Sequence, residues 1–506
     1  MNLKAPEIFR TIEDLVAMAP RATGTPGGER AAQYVADRFE AAGLDTEFLE
    51  VDSYSWRAEA HGLEVAGHSY ECSPILHSGL AGHDWVGQAD YRLDAPIVDI
   101  GADPVKKHDV RGKIVLFDLA FTMTNAHTLP LTLYLYDPER RVLGREVLGS
   151  RNPYITTLGR VMREAAAAGA VGLIGVLRDY PESHRYHNEY YRRTLFSLPG
   201  VWITKSAGED LRRRLRSSSQ SLHSSSLSRR LEPAGSNPST DSGADRTDHS
   251  TPTARLTLDV RRDVVTSRTV IGVLPGRTRD TIMVQSHHDS VSPGAVEDAS
   301  GTAEVIALAE HYGAQVRDGA SFEKTLMFVT FDTHFTGYHS HMEFARRHVL
   351  DPAPPYNIVL NATIEHVGLR AVRGAEGGFE AVNETEPRGI FVNVNPAFTR
   401  RLAKLVKRHR LYSTSLLGAA ALEASASGIP TDASFTFVAG VPTVSLVSGP
   451  LYLYDDADTI DRIDVDQLEP VARFFADVIA DAEAHNGATI GVLPTAVRRL
   501  LPRGKW

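Results

Sequence analysis

Residues 281–310 read TIMVQSHHDSVSPGAVEDASGTAEVIALAE, and this stretch joins a strand, a polar loop and a helix. Residues 281–286 form a short, largely apolar run of strand length, and residues 300–314 carry the apolar spacing of a helix. A strand that leads through a polar loop into a helix is the repeating unit of open α/β sheets, which place their chemistry outside the carboxyl ends of the strands.

The rest of the C-terminal half repeats this unit. Further strands are predicted at four places along the chain, 269–276, 325–331, 357–364 and 441–448. Helices are predicted after several of them, at 300–314, 339–349, 395–410 and 465–484. Alternation of this kind predicts an α/β fold with a mostly parallel sheet that is covered by helices.

The chain is 506 residues long, which favours two domains or one domain with a large insertion. Residues 1–66 begin the main domain with two helical patterns, and 263–485 supply its core. Between them, 67–262 changes to short strands and turns and includes a serine-rich loop at 217–253 that we expect to be disordered. Residues 486–506 form a small basic tail.

Composition excludes several classes of protein. Apolar residues make up 42% and charged residues 23%, and the net charge of −9 is modest, so nucleic acid is not an expected partner. A single cysteine, Cys72, excludes an internal disulfide framework, and no apolar run is long enough to span a membrane. These features predict a cytoplasmic protein of enzyme size.

Acidic and histidine side chains follow three of the predicted strands. Because neighbouring parallel strands end at the same edge of a sheet, these side chains are expected to gather there. The set is His287, Asp289, Glu297, Asp298, His334, Glu365 and His366. Mixed imidazole and carboxylate groups are the ligands that first-row divalent metals prefer.

Within this set, the His-x-Asp pattern at 287–289 suits a metal ligand and its orienting acid. Residues two apart in an extended chain point the same way, so Asp289 can fix the tautomer of His287. Each residue also has an ordinary structural interpretation. Glu297 and Asp298 near a helix start are typical caps, and a single histidine is more often a core or surface residue than a ligand.

Several segments, in this order, resemble the zinc aminopeptidases of metallopeptidase family 28, which also includes glutamate carboxypeptidases and the non-enzymatic transferrin receptor. The segments include RATGTPGGERAAQYVADRFEAAGLDTEFLEV (21–51), DVRGKIVLFD (109–118), TVIGVLPG (269–276) and the opening stretch 281–310. The resemblance implies a zinc-exopeptidase type of α/β fold with an inserted β-rich protease-associated domain at 67–262.

Members of the family bind two zinc ions that are joined by one aspartate. The resemblance matches part of that site to residues of this sequence. The first-metal histidine and its orienting acid fall on His287 and Asp289. The bridging aspartate falls on Glu297, and the aspartate after the next strand falls on Glu365, each one methylene longer. The resemblance therefore implies one metal ion held by His287, Glu297 and Glu365.

The second metal site of the family has no counterpart. The family's Glu-Glu pair falls on His334 and Phe335, and its closing histidine falls on Tyr454. Phenylalanine cannot bind a metal, and neutral tyrosine is a poor ligand for a divalent ion. We expect a mononuclear centre in which His334 acts as general base or as an extra ligand, with His366 and His288 as further candidate ligands.

These observations predict a metal-dependent hydrolase that acts on an amide, peptide or related bond of a peptide or small molecule. Its cofactor would be a single divalent ion, zinc in the first place, with iron or another first-row ion as alternatives. Two other functions stay open: an inactive binding or scaffold protein of the same fold, and a metal enzyme with different chemistry. The sequence also leaves open whether the chain forms homo-oligomers.

Overall fold

The computed structural model describes residues 3–188, 194–229, 252–393, 395–419 and 428–491. The described α-helices, numbered α1–α11 in chain order, are Ala5–Val16, Pro26–Ala41, Thr124–Thr128, Arg145–Gly149, Leu158–Ala167, Lys205–Arg229, Ser300–Arg317, His339–Ala345, Pro396–Arg408, Ser434–Val438 and Val465–Ala484. The described strands, β1–β19, are Asp45–Val65, His68–Tyr70, Ser73–Pro74, Gly87–Gly101, Ile114–Asp118, Phe121–Thr122, Thr132–Tyr136, Asn152–Thr156, Gly172–Val176, Gly200–Ile203, Thr253–Leu274, Asp280–His287, Thr325–Phe331, Asn357–Ile364, Leu369–Arg373, Phe379–Thr385, Arg388–Val392, Thr414–Gly418 and Thr443–Ser448.

Most of these strands belong to one large sheet with the order β3-β10-β9-β5-β4-β11-β13-β12-β14-β19-β17-β18-β7. At its centre, β13, β12, β14 and β19 run parallel to one another. The antiparallel pairs of the sheet include β11 with β13 and β17 with β19. The predicted α/β fold with a mostly parallel, helix-covered sheet is confirmed.

The central strands are buried because helices cover both faces of the sheet. Along β13, Leu326 and Phe328 face the core formed with α1, α7 and α11, whereas Met327 and Val329 face the opposite side. On that opposite side, Phe344 of α8 packs against them. Successive side chains of these strands point to opposite faces of the sheet, and both faces are apolar. The strands therefore appear in the sequence as short continuous apolar runs.

One long antiparallel ladder connects the core with the β-rich region. Strand β11 spans 22 residues, and β1 pairs with it from Asp45 opposite Val273 to Val65 opposite Ala254. The first part of β11 also pairs with β4, and its last five residues pair with β13. Strand β11 therefore crosses the predicted domain boundary at 262, whereas β1 ends just before the boundary at 66. The division into domains stays a prediction.

The serine-rich segment differs in part from its expectation. Helix α6 extends to Arg229, so residues 217–229 are helical, although we expected disorder from 217 onward. Serine costs a helix only a few tenths of a kcal/mol relative to alanine, roughly, so the arginine- and leucine-bearing helix before it can continue. Residues 230–251 and 492–506, which include most of the predicted loop and of the basic tail, lie outside the described residues. In the described part of the chain, no helix has the length and apolarity that a membrane span requires.

Prediction for acid stability. His348 is buried beside the Phe344 and Tyr356 rings, and its Nδ1 has no hydrogen-bond partner. Burial, aided by Arg347, lowers the pKa of His348 from 6.5 to about 4. Below pH 6.5 the unfolded chain binds a proton here that the folded chain does not bind, so this histidine costs stability as the pH falls to about 4.

We therefore expect His348→Gln to make the free energy of unfolding less dependent on pH between 6.5 and 4, by up to ~1.4 kcal/mol per pH unit. Urea denaturation of the variant and of the unchanged protein across this range measures the effect. His68→Gln, at an exposed histidine, is the matched control and should leave the slope unchanged. Equal slopes for His348→Gln and the unchanged protein would contradict the prediction.

Candidate metal centre

The carboxyl ends of the three central strands bring the predicted site residues together. His287 is the last residue of β12, His334 follows β13, and Glu365 directly follows β14. The side chains are buried, with exposed fractions of 0% for His287 and Glu297, 4% for His334 and 1% for Glu365. A cluster of titratable groups that is closed off from solvent in this way is typical of functional sites.

The Glu297 carboxylate lies at the middle of the cluster, surrounded by three imidazoles. Its Oε1 is 3.2 Å from His287 Nε2 and 3.3 Å from His334 Nε2. Its Oε2 is 2.5 Å from His366 Nε2. Glu297 is therefore the residue that the other polar groups of the site share.

Two ligand sets could hold a metal ion in the described part of the chain. In the first, one ligand atom each of His287, Glu297 and His366 lie within 4.8 Å of one another. In the second, His287 is joined by His334 and Asp432. The first set is that of hydrolytic zinc sites with two histidines and one glutamate.

The first set also contains polar atoms that lack hydrogen bonds. Although Glu297 Oε1 and His287 Nε2 lie only 3.2 Å apart, neither these atoms nor Glu297 Oε2 makes a contact of hydrogen-bond geometry among the described residues, and all three are buried. Buried polar atoms in folded proteins are nearly always hydrogen-bonded, so these atoms fit a cation that would be placed between them. The residues therefore suit a bound divalent ion.

The stacking of His287 on His334 favours the first set. Their rings are nearly parallel, at 15°, with centroids 4.0 Å apart. An imidazole binds a metal along a lone pair in the plane of its ring, at about 2.0–2.1 Å for zinc. Two stacked, parallel rings cannot both point their lone pairs at one ion, so His334 in this position is suited to proton transfer instead.

The remaining nitrogens of the two ligand histidines are held by oxygen atoms. His287 Nδ1 lies 3.1 Å from the Asp289 carbonyl oxygen and 3.4 Å from Asp289 Oδ1. His366 Nδ1 lies 2.6 Å from the carbonyl oxygen of Ser448. Metal-binding histidines commonly donate their other N–H to such oxygens, which fixes the ring and leaves Nε2 free to bind the metal. Asp289 thus contacts the residue that it was predicted to orient.

Glu365, by contrast, is not placed in either ligand set. Its Oε1 accepts a hydrogen bond of 3.0 Å from the backbone N–H of Asp432, and burial, aided by Asp432, raises its pKa well above the usual value. The next residue, His366, supplies the ligand atom instead, because its backbone is left-handed, with φ of 62°. This conformation breaks the alternation of side chains along the strand, so that neighbouring residues can face the same edge.

Two residues that the sequence analysis did not single out complete the site. Asp432 Oδ1 lies 3.0 Å from His334 Nδ1, and Asp432 Oδ2 lies 3.0 Å from His341 Nε2. Burial disfavours ionisation of Asp432, but the two flanking imidazoles hold its pKa well below the usual range. Asp432 comes from a loop far along the chain, in a PTDAS stretch that is typical of a helix cap, so no local spacing links it to His334.

The loop that carries Glu297 is fixed from two sides. The buried Arg21 guanidinium donates to the carbonyl oxygens of His288, at 2.9 Å, and Gly294, at 2.9 Å. From the other side, the Asp458 carboxylate accepts the N–H groups of Val296 and Glu297, both at 2.9 Å. These contacts stabilise the loop in the position that directs Glu297 toward the histidines.

Two positions that the resemblance assigned to the family's second metal site, Phe335 and Tyr454, hold aromatic side chains that pack against each other. Phe335 and Tyr454 are each 2% exposed, and their ring centroids are 6.0 Å apart in an edge-on arrangement. The backbone N–H of Phe335 donates to Asp289 Oδ2 at 3.3 Å, which ties this part of the site to His287. The two rings thus form an apolar wall beside the polar centre.

Comparison with known proteins agrees with this architecture. Residues 269–362, which contain the opening strand–loop–helix unit, match the family model for Peptidase family M28. No curated protein sequence matches the chain. The predicted resemblance to the zinc aminopeptidases of metallopeptidase family 28 is confirmed for this segment.

Solved structures of similar fold cover almost the whole chain. An aminopeptidase from Aneurinibacillus sp. strain AM-1 is 18% identical, with a TM-score of 0.59 over 95% of this chain and 94% of that chain. The zinc aminopeptidase BSAP from Bacillus subtilis is 17% identical, with a TM-score of 0.59 over 97% and 99% of the two chains. A Peptidase M28 precursor from Shewanella amazonensis SB2B is 17% identical, with a TM-score of 0.62 over 96% and 95%. At these identities the likeness establishes the fold.

Prediction for the ligand set. We expect His366→Ala to weaken zinc binding more than the roughly 10- to 100-fold loss that follows removal of an outer-shell partner, because it removes a direct ligand. Glu365→Gln should retain the ion, since Glu365 lies outside both ligand sets. Zinc content after dialysis against a graded chelator series, measured by elemental analysis, tests both variants. Loss of the ion in Glu365→Gln together with retention in His366→Ala would instead support the ligand set expected from the sequence.

Proposed function

We propose that this protein is a metal-dependent hydrolase of the aminopeptidase type, with a mononuclear zinc centre that acts on peptide or related amide bonds. The observation that carries the proposal is the position of His334, whose imidazole lies between Glu297 on one side and Asp432 on the other. The family match and the shared fold support the hydrolase class.

His287, Glu297 and His366 would hold the ion, with Asp289 and the Ser448 carbonyl orienting the two histidines. A bound divalent ion of this kind supplies polarisation of a carbonyl group and activation of water at neutral pH. Zinc is preferred because two histidines and a glutamate form the ligand set of known zinc hydrolases, although the same donors also serve iron.

His334 would be the general base. Its Nδ1 donates to Asp432, which leaves Nε2 as the acceptor, and this nitrogen faces the Glu297 oxygen at 3.3 Å. Nε2 can therefore take a proton from a water molecule that enters beside Glu297 and return it to the leaving amine. Asp432 fixes the tautomer and stabilises the imidazolium, as a buried carboxylate does beside a catalytic histidine.

Nearby charges favour the protonated form of His334. Burial and the neighbouring His287 oppose protonation, yet Asp432 and Glu297 raise the pKa of His334 above its usual value. A cation among the ligands would act in the opposite direction and favour the neutral imidazole that a base requires. The Tyr338 hydroxyl, 3.4 Å from His334 Nε2, is placed to contact a group bound there.

A second candidate function rests on Phe335 and Tyr454. Both positions hold metal-binding or catalytic groups in the family, and here they hold packed aromatic rings. A binding protein that retains the fold without turnover would have this feature. The buried His334–Asp432–His341 arrangement favours the enzyme, because a binding protein would not need a carboxylate held between two imidazoles.

Two further assignments, a protease-associated domain and a cytoplasmic location, are also proposals. The β-rich region between 67 and 262 would correspond to a protease-associated domain and would shape access to the centre. A cytoplasmic location is supported by the single cysteine, Cys72, which leaves no internal disulfide to maintain.

Prediction for the base. His334→Ala should retain the zinc ion and lose about 10²- to 10⁴-fold in kcat, the usual contribution of a positioned base. Turnover of a panel of aminoacyl p-nitroanilides, together with zinc content, measures both properties. His348→Gln, at a buried histidine outside the centre, is the matched control and should keep full activity. Loss of zinc in His334→Ala would make His334 a ligand, and unchanged kcat would remove it from the mechanism.

Prediction for Asp432. Asp432→Asn keeps the shape of the side chain but cannot stabilise the imidazolium and favours the wrong tautomer of His334, so we expect kcat to fall by about 10²- to 10⁴-fold. KM and zinc content should change little, because Asp432 touches neither the preferred ligand set nor the substrate. A fall in zinc content that parallels the loss of kcat would show that Asp432 acts as a ligand of the second set instead.

A further inference from the structure

His341 is a buried histidine of helix α8 whose ring is fixed by aromatic neighbours. Its exposed fraction is 1%, and its ring stacks on that of Phe331, with centroids 4.1 Å apart and planes at 18°. Tyr338 and Phe435 pack against the same ring, each with its centroid 5.3 Å away. Phe331 ends β13 and is paired with His287 of β12. The ring therefore lies in a closed aromatic site beside the metal centre.

The single hydrogen bond of this ring, in the described part of the chain, is made with Asp432. Nε2 of His341 lies 3.0 Å from Asp432 Oδ2, whereas Nδ1 is buried and has no hydrogen-bond partner among the described residues. A buried polar atom without a partner costs roughly 1–3 kcal/mol. Phenylalanine would fill the same aromatic site without this cost, so packing alone does not account for a histidine at this position.

The direction of this hydrogen bond follows from the charges of the two groups. Burial lowers the pKa of His341 below its usual value, although Asp432 acts in the opposite direction, so the ring is neutral at neutral pH and carries one N–H. The ionised carboxylate of Asp432 can only accept a hydrogen bond. The proton of His341 is therefore on Nε2, and the ring donates to Asp432 Oδ2.

Asp432 has two roles open to it, partner of the base or metal ligand. Its Oδ1 lies 3.0 Å from His334 Nδ1, yet the residue also belongs to the second ligand set, with His287 and His334. Its backbone N–H is held by Glu365 Oε1 at 3.0 Å, so a change of role needs only a rotation of the carboxylate. The χ2 angle of an aspartate has a broad energy well, and a fixed donor on Oδ2 opposes this rotation.

We propose that His341 is a positioning residue that holds the Asp432 carboxylate toward His334 and keeps it from binding the metal ion. The proposal rests on the proposed function, because it treats His334 as the base and Asp432 as its partner. His341 acts through Asp432, since its single hydrogen bond goes there. The aromatic site around the ring supplies the rigidity that this role requires.

Two substitutions separate the hydrogen bond from packing. His341→Phe keeps an aromatic ring in the site but removes the N–H, whereas His341→Gln places an amide N–H near the position of Nε2. We expect kcat on aminoacyl p-nitroanilides to fall by about 10- to 100-fold in His341→Phe, the usual effect of losing an outer partner, with KM little changed. In His341→Gln most of this loss should be restored. His348→Phe, the same substitution at a buried histidine outside the centre, is the matched control and should keep full kcat.

Cobalt(II) in place of zinc reports on the ligands without any turnover. The visible absorption bands of cobalt(II) weaken when its coordination number rises above four, so they detect an additional carboxylate ligand. An Asp432 carboxylate that is no longer held should join the ligands in His341→Phe. The cobalt-loaded variant should then absorb more weakly than the cobalt-loaded unchanged protein, and His341→Gln should restore the stronger bands. Urea denaturation confirms that the variants are folded.

Equal losses of kcat in His341→Phe and His341→Gln would assign His341 to packing and overturn the proposal. A cobalt spectrum that is the same in His341→Phe as in the unchanged protein would also overturn it. Absence of turnover in the unchanged protein, together with the expected cobalt spectra, counts against the proposed function alone. An active enzyme whose His341→Phe variant keeps full kcat counts against the positioning role alone.

Discussion

The buried carboxylate of Glu297 is the constraint on which the rest of the site depends. Placing a negative charge in an interior without water is strongly unfavourable unless positive groups surround it. Burial opposes ionisation of Glu297, but His366 and His287 lower its pKa far below the usual value. The strand ends supply the histidines, and Arg21 and Asp458 fix the loop between them. Much of the local structure thus serves to keep one carboxylate ionised in a fixed place.

The fold was largely predictable because burial on both faces of a sheet leaves a simple pattern in the sequence. The strands predicted at 325–331 and 357–364 coincide with Thr325–Phe331 and Asn357–Ile364, and the helix predicted at 465–484 coincides with Val465–Ala484. The family resemblance then identified the arrangement of these elements, which agrees with the solved aminopeptidase structures.

The site was less predictable for a physical reason. His287, Glu297 and His334 could be found because each follows a recognisable strand. The choice between Glu365 and His366 depends on the sign of one backbone angle, which neighbouring residue types do not determine. Asp432 lies about a hundred residues from His334 along the chain, and only the folded sheet brings the two together. Whether Glu365 ever binds the ion stays a prediction.

The long ladder between β1 and β11 has a mechanical consequence. The same strand that is paired with β4 in the β-rich region continues into the core and ends beside β13. A hinge motion that moved one region away from the other would have to bend the β1–β11 ladder and break its backbone hydrogen bonds. The register of the ladder shifts between Ala58 and Ala60, and the continuous pairing on either side favours movement of the shorter connections above the strand ends over a change in the alignment of the two regions.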